Sequence, residues 1–454
     1  ATWDGHPRCP LALWVRMWLA RATKCPGSAN AGSRSPGSGG SSHQNMTDPT
    51  HGISSEPDST KPASGRRLRS VDLPVTGAWQ KGDPVGDRQF VVINEGRPFA
   101  LEGGGTLDEV TMAYETWGTL SPQADNAVLV CHALTGDAHV FGEAGQGHKT
   151  PGWWNGVVGP GQALDPAKHF IVCINVLGGC QGSTGPASPN PITELPYGSA
   201  FPVVTTRDMV RAQVGVADHL GIDQWKLVIG GSMGGMQVLE WGIMYPDRVG
   251  ALAPLATALA ASPWQIGWSA AGRNALVLDP QFLGGDYYQQ ELGQGPHNGL
   301  AVARSIAQIH YRSAGSFSER FGREVANPRS IYGLWDQFQV ESYLDYHGEK
   351  LVRRFDANSY LVLNRAMDLH DVARQRGSVH EAVSRVARVP VMTLSISSDF
   401  LYPVEQQKEI YEAVQAIGGQ CTQYVVENND GHDGFLTATH EVSTHIKHFL
   451  EEIS

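Results

Sequence analysis

Lys226-Leu-Val-Ile-Gly-Gly-Ser232-Met-Gly-Gly-Met-Gln237 brings three local signals together in one run. Leu227 to Ile229 is a short apolar stretch of the kind that forms a buried strand. It passes without a polar break into Gly230-Gly231-Ser232-Met233-Gly234, a G-x-S-x-G. Behind it Met236, Val238, Leu239, Ile243 and Met244 recur at helical spacing, up to Tyr245-Pro246. A strand, a glycine-flanked serine and a helix in that order make a nucleophile elbow. The tight turn forces the serine into a strained conformation, and only small residues fit two before and two after it. Its hydroxyl then stands over the sheet edge, beside the positive end of the new helix. The motif by itself is a weak signal, because 53 of the 454 residues are glycine. Gly267-Trp-Ser269-Ala-Ala271 nearly repeats it with no strand in front.

Strands and helices alternate around the elbow. Phe90–Ile93, Val110–Tyr114, Asn126–Cys131, His169–Asn175, Gly250–Ala256, Val389–Leu394 and Thr422–Val426 read as strands, the first two separated by the turn Gly103-Gly-Gly105. Thr206–Leu220, Val404–Ile417 and Thr439–Ile453 read as amphipathic helices. This alternation implies a mostly parallel sheet covered by helices on both faces. Residues 263–380 show helical periodicity and no convincing strand, so a helical insertion interrupts the α/β pattern. Such an insertion would lie as a lid over the carboxyl edge of the sheet, where ligands bind in open α/β folds. The expected organisation is an N-terminal extension over 1–85, a first core segment over 86–262, the lid over 263–380 and a second core segment over 381–454.

Composition narrows the function classes. A net charge of −11, from 34 basic and 45 acidic residues, argues against non-specific nucleic-acid binding. The six cysteines form no C-x-x-C pair, so neither a zinc ribbon nor a disulfide framework is indicated, and Cys131 and Cys173 read as small core residues. These features fit a reduced, cytoplasmic protein. Leu11–Ala20 is too short to span a bilayer. Gly27–Ser42 is almost entirely Gly, Ser, Pro, Ala and Asn, which cannot bury a core. Met46 is the expected start of translation, with residues 1–45 as upstream sequence. From there to residue 85 a flexible tail is expected, with a solvated basic cluster at Arg66-Arg67-Leu68-Arg69.

A serine hydroxyl needs a base to take its proton, and the base needs a carboxylate to fix its tautomer. Around an elbow these follow in the order Ser, acid, His, each after a later strand. Asp399 follows the strand ending near Ile396, and His432 follows Val425-Val426 through Glu427-Asn-Asn-Asp-Gly431. His440, His445 and His448 belong to the last helix, and His297, His310, His347, His370 and His380 to the insertion, so they suit the role less well. An oxyanion hole requires two backbone N–H donors, expected from Met233 and, beyond the strand ending at Cys131, from Leu134. The Gly-rich run Gly178–Gly185 carries no phosphate-loop lysine.

Several further motifs narrow the chemistry. His132-Ala-Leu-Thr-Gly-Asp137, Pro151-Gly-Trp-Trp154, Asn175-Val-Leu-Gly-Gly-Cys-Gln-Gly-Ser-Thr-Gly-Pro186, Gly230–Gly235, Ser398–Pro403 and Gly431-His-Asp-Gly-Phe435 resemble the homoserine O-acetyltransferase family, in order, from about Phe90 to the C-terminus. The resemblance implies an α/β-hydrolase fold with a helical lid, a homodimer formed through that lid, and acetyl transfer from acetyl-CoA to L-homoserine on the way to methionine. No metal and no cofactor beyond the acetyl-CoA co-substrate are implied. Ser232 would be the acylated nucleophile, His432 the base and acid, Asp399 its orienting partner, and Leu134 and Met233 the oxyanion donors. Arg304 matches the family's carboxylate-binding arginine, and Asp433 its amino-binding aspartate. Without the resemblance Arg304 reads as a surface helix residue and Asp433 as a turn former. A serine esterase, a relative using L-serine or succinyl-CoA, and a non-catalytic binding protein on the same fold stand as alternatives.

Overall fold

The computed structural model describes residues 72–453. The expected start at Met46, the upstream segment and the basic cluster at 66–69 lie outside the described residues.

The strands are β1 (Gln89–Val92), β2 (Phe99–Ala100), β3 (Thr106–Leu107), β4 (Thr111–Trp117), β5 (Ala127–Cys131), β6 (Phe170–Ile174), β7 (Leu227–Gly231), β8 (Leu252–Leu255), β9 (Val391–Ile396) and β10 (Cys421–Val426). The helices are α1 (Thr206–His219), α2 (Met233–Met244), α3 (Pro263–Val277), α4 (His297–Tyr311), α5 (Ala314–Phe321), α6 (Gln339–Val352), α7 (Ala357–Asp368), α8 (Val379–Val383), α9 (Val404–Ala416), α10 (Gly434–Thr437) and α11 (Thr439–Glu452). Eight strands form one sheet in the order β1-β4-β6-β5-β7-β8-β9-β10. The pairs β1–β4 and β4–β6 are antiparallel, and every pair from β6 through β10 is parallel.

The central parallel strands β5, β7, β8 and β9 are buried on both faces, and their residues alternate between two cores. Leu129, Cys131, Val228 and Leu252 share one core with Met209 and Val216 of α1, Val238 and Trp241 of α2, and Ile410 of α9. Val128, Val130, Ile229 and Met392 share the other with Trp154 and with Val442, Ile446 and Phe449 of α11. A strand sandwiched in this way has no solvent-facing side to carry a polar alternation, which explains the continuous apolar runs at 127–131 and 227–229. Cys131 and Cys173 are free and buried in these strands. Helix α1 begins with a capping box, in which Thr205 and Asp208 satisfy each other's backbone N–H groups.

The insertion between β8 and β9 is helical, carrying α3 through α8. Ser269 of the near-repeat lies in the middle of α3, without a strand or a turn. The hairpin of β2 and β3 closes through Gly104 and Gly105 at positive φ.

The expected flexible extension to residue 85 is corrected at its C-terminal end. Residues 72–85 lie against the body: Leu73 is buried, Thr76 Oγ1 donates to Asp356 Oδ1 at 2.8 Å, and the Trp79 N–H donates to the Cys180 carbonyl at 2.9 Å. Gly77 is required here, since a Cβ would stand 2.3 Å from the Phe355 backbone nitrogen.

Candidate active site

Ser232 sits between β7 and α2 at φ 58° and ψ −121°, a region L residues avoid. The flanking glycines are there for a steric reason. A Cβ on Gly230 would come within 2.5 Å of the Cys131 carbonyl oxygen, and one on Gly234 within 2.1 Å of the same atom. Both glycines thus let the elbow seat against the end of β5. The strained backbone is pinned on both sides: Ser232 N–H donates to Leu255 O at 2.9 Å, and its carbonyl accepts from Thr257 Oγ1 at 2.9 Å.

Asp399 follows β9 and His432 follows β10, so parallel neighbours deliver both to the same edge as the elbow. His432 Nδ1 donates to Asp399 Oδ2 at 2.7 Å, with both side chains buried. The other carboxylate oxygen accepts from the N–H groups of Leu401 at 2.9 Å and Tyr402 at 2.8 Å. The Asp399 carboxyl, held on three sides, fixes the imidazole with its hydrogen on Nδ1 and its lone pair on Nε2. That Nε2 is buried and has no hydrogen-bond partner among the described residues. The serine-to-histidine hydrogen bond is therefore not formed here, although both residues line one cavity. Three aromatic rings bracket His432: Tyr402 stacks at 4.9 Å, Phe435 meets it edge-on at 5.6 Å, and Tyr311 is tilted at 5.8 Å.

Loop 132–137 leaves β5 beside the elbow and carries Leu134. His132 Nε2 accepts from the Val176 N–H at 3.1 Å, so its hydrogen is on Nδ1, which donates to Ala133 O at 2.8 Å. Gln237 of α2 reaches the carbonyls of Met233 at 3.1 Å and His132 at 3.4 Å, tying this loop to the first turn of the elbow helix. The N–H of Met233 opens α2 and has no carbonyl of that helix to donate to.

The cavity over Ser232 is about 160 Å³ and includes Leu134, Thr135, Arg304, Tyr311, Arg354, His432 and Asp433 in its wall. That is below the roughly 300–1,000 Å³ of drug-sized sites, so it admits an acyl end and an amino-acid-sized acceptor, not a nucleotide. A larger cavity of about 430 Å³, lined by Trp79, Phe90 and Thr184 among others, includes no member of the triad.

All seven residues read from the sequence meet at this place or in its immediate frame. Arg304 comes from α4, with Nη1 3.5 Å from Thr135 Oγ1 and its guanidinium over the Tyr311 ring at 5.5 Å. Asp433 faces Arg312, whose Nε lies 3.3 Å from its carboxylate. Sequence reasoning missed Tyr402, Tyr311 and Arg354. Tyr402 stacks on His432, and burial drives its phenol well above the ordinary range, so it stays protonated. Arg354 donates to the Thr135 carbonyl at 2.7 Å and puts a second cation at the rim. Its sequence context, Arg353-Arg354 at a helix end, looks like solvated surface.

The family model for the alpha/beta hydrolase fold matches residues 126–439. A homoserine O-acetyltransferase of Thermobifida fusca is 51% identical over 380 residues, covering 84% of this chain and 98% of that relative. Among solved structures, a homoserine O-acetyltransferase from Bacillus anthracis superposes with a TM-score of 0.73 at 26% identity, over 80% of this chain and 97% of that one. An acetylester hydrolase from Corynebacterium glutamicum superposes with a TM-score of 0.66 at 26% identity, over 81% of this chain and 96% of that one.

Proposed function

We propose that this chain, which belongs to the homoserine O-acetyltransferase family, transfers an acetyl group from acetyl-CoA to the hydroxyl of L-homoserine through an acyl-serine at Ser232. The product would be O-acetyl-L-homoserine, an intermediate for methionine synthesis. The observation that carries this reading is the triad opening into a small cavity that also includes Arg304 and Asp433.

In the first half-reaction Ser232 Oγ attacks the thioester carbonyl while His432 Nε2 takes its proton. The tetrahedral oxyanion accepts from the N–H groups of Met233 and Leu134, each such donor being worth roughly 2.7–4 kcal/mol in the transition state. The C–S bond breaks, and His432 returns the proton to the departing thiolate. In the second half, His432 Nε2 takes the proton of the homoserine hydroxyl, whose oxygen attacks the acyl-serine. Collapse of that intermediate releases the ester and reprotonates Ser232. Arg304 suits the acceptor carboxylate, and Asp433, already half engaged by Arg312, suits its ammonium. No cofactor enters beyond acetyl-CoA.

The same machinery would hydrolyse an ester if water reached the acyl-serine, and the resemblance to an acetylester hydrolase supports that second reading. One acceptor and donor panel separates them, with homoserine, serine or no acceptor against acetyl-CoA or succinyl-CoA. Thiol release from acetyl-CoA should accelerate greatly with homoserine. Equal release without any acceptor would make the protein a hydrolase. Serine lacks one methylene, a difference worth only about 1–3 kcal/mol in a pocket, so its rate has to be measured beside that of homoserine. The homodimer and a cytoplasmic setting belong to this same proposal. Supporting them are apolar side chains exposed on the insertion, and the lack of any helix among the described residues long and apolar enough to cross a membrane.

A further inference from the structure

The turn that carries Leu134 is fastened at its outer end by a cation, Arg354. Ala133-Leu134-Thr135-Gly136 is a β-turn, closed by the Gly136 N–H donating to the Ala133 carbonyl at 2.9 Å. Leu134 and Thr135 are its central residues, and the first central N–H of such a turn lies outside the ring that the turn closes. Among the described residues the Leu134 N–H has no acceptor, as an oxyanion donor requires.

Arg354 follows α6, borders the catalytic cavity and donates from Nη1 to the Thr135 carbonyl at 2.7 Å. A planar peptide ties its carbonyl rigidly to the N–H of the next residue. The Thr135 carbonyl therefore moves with the Gly136 N–H, and the Ala133 carbonyl with the Leu134 N–H. Hydrogen bonds run head to tail along these planes, from the guanidinium to peptide 135–136, from there to peptide 133–134, and from there to the acyl oxyanion. Chained hydrogen bonds polarise one another, and a full positive charge at the head strengthens the last donor. His132 Nδ1 donates to the same Ala133 carbonyl at 2.8 Å, but as a neutral ring, since its Nε2 accepts from the Val176 N–H.

The backbone that presents Arg354 is clamped by segments distant in sequence. Its carbonyl accepts from Gln181 Nε2 at 2.7 Å, and the Arg353 carbonyl accepts from Lys149 Nζ at 2.7 Å. The Gly77 N–H donates to the Phe355 carbonyl at 3.1 Å, and a Cβ on Gly77 would stand 2.6 Å from the Arg354 nitrogen. Among the described residues no carboxylate pairs with the guanidinium to quench its charge. We propose that Arg354 is a positioning residue for the oxyanion hole, fixing and polarising the Leu134 N–H through peptides 135–136 and 133–134. This assignment rests on the acyl-serine reading of Ser232 and concerns the steps that transfer and hydrolysis share.

The probe is p-nitrophenyl acetate, which acetylates a serine nucleophile and carries no phosphate, carboxylate or ammonium. Arg354→Met should slow acylation of Ser232 by this ester about 10- to 100-fold, part of the roughly 10²–10³ that loss of a whole oxyanion donor costs. Arg354→Lys should keep most of the rate, and guanidinium ion added to Arg354→Ala should restore part of it. Arg353→Met, which removes the neighbouring exposed cation paired with Glu349, should leave the rate unchanged. A wild-type rate in Arg354→Met overturns the proposal. A loss with acetyl-CoA but not with the ester also overturns it, making Arg354 a contact of the donor's phosphates, as does a change confined to the homoserine KM, making it an acceptor contact. A loss that neither lysine nor guanidinium repairs overturns it in favour of packing alone. The proposed function fails separately: equal thiol release with and without homoserine makes the wild-type chain a hydrolase, while the Arg354 pattern with the ester still stands.

Discussion

At φ 58° Ser232 carries strain of about 1–3 kcal/mol, which persists only because its neighbours over-determine it. Two of those neighbours are glycines whose missing Cβ atoms make room for the Cys131 carbonyl. Backbone cannot yield as a flexible side chain can, so Gly234→Ala should displace the elbow. We expect the acetyl-enzyme mass shift with acetyl-CoA to vanish and the melting temperature to drop. A variant that still acylates at the wild-type rate would mean the close approach is not needed. Asp399 is held differently, by charge and by three donors, and its carboxylate fixes the His432 tautomer. Asp399→Asn should keep the fold and lose about 10⁴-fold in kcat, measured as thiol release. A loss below tenfold would assign the orienting role to another group. For the acceptor clamp, Arg304→Lys keeps the charge and removes the bidentate fork. The KM for homoserine should rise at least tenfold while the rate of enzyme acylation by acetyl-CoA holds, so single-turnover acylation separates this loss from general damage.

Helix α4 shows how one element couples site and stability, since it carries Arg304, His310 and Tyr311 together. His310 is buried with Nδ1 unpartnered, and burial above all, with the nearby charges of His432 and Arg304, lowers its pKa to about 3. His347 of the neighbouring α6 is lowered to about 4, chiefly by burial and then by Arg304. Between these values and the ordinary 6.5 the unfolded chain holds protons that the folded chain does not. Stability therefore rises with pH through that window and falls on acidification below about 6.5, by roughly 1.4 kcal/mol per pH unit for a fully buried histidine. His310→Gln should flatten the fall in melting temperature between pH 6.5 and 5, and an unchanged slope would show that the histidine titrates normally. Elements of this length were legible beforehand because buried parallel strands and amphipathic helices announce themselves by period. The hairpin of β2 and β3 was not, since two-residue strands show no alternation. Nor were Tyr402, Tyr311 and Arg354, whose roles arise from where distant strands and helices deliver them. Ser232, Asp399 and His432 were legible because the parallel order itself dictates where each must fall. Arg304 and Asp433 were reached only through the family resemblance.

Over the whole molecule, long-range packing corrects the local reading in one direction and extends it in another. Residues 72–85 look like tail by composition, yet Leu73 is buried and Thr76 is bonded to Asp356 across 280 positions, a partnership no local pattern can reveal. The insertion carries the opposite surprise: apolar residues that remain exposed. Tyr332 is 96% exposed, Leu334 84%, Tyr346 61% and Trp335 51%. Large apolar side chains exposed on the insertion are the candidate surface for the homodimer proposed above. Leu334→Glu with Trp335→Glu would place buried charge at such an interface, a cost of several kcal/mol. By sedimentation the wild-type chain should run as a dimer and the double variant as a monomer, with the Ser232 acylation step retained because neither residue lines the cavity. A wild-type monomer would leave this surface to another partner. A double variant that stays dimeric would move the interface off this stretch of the insertion.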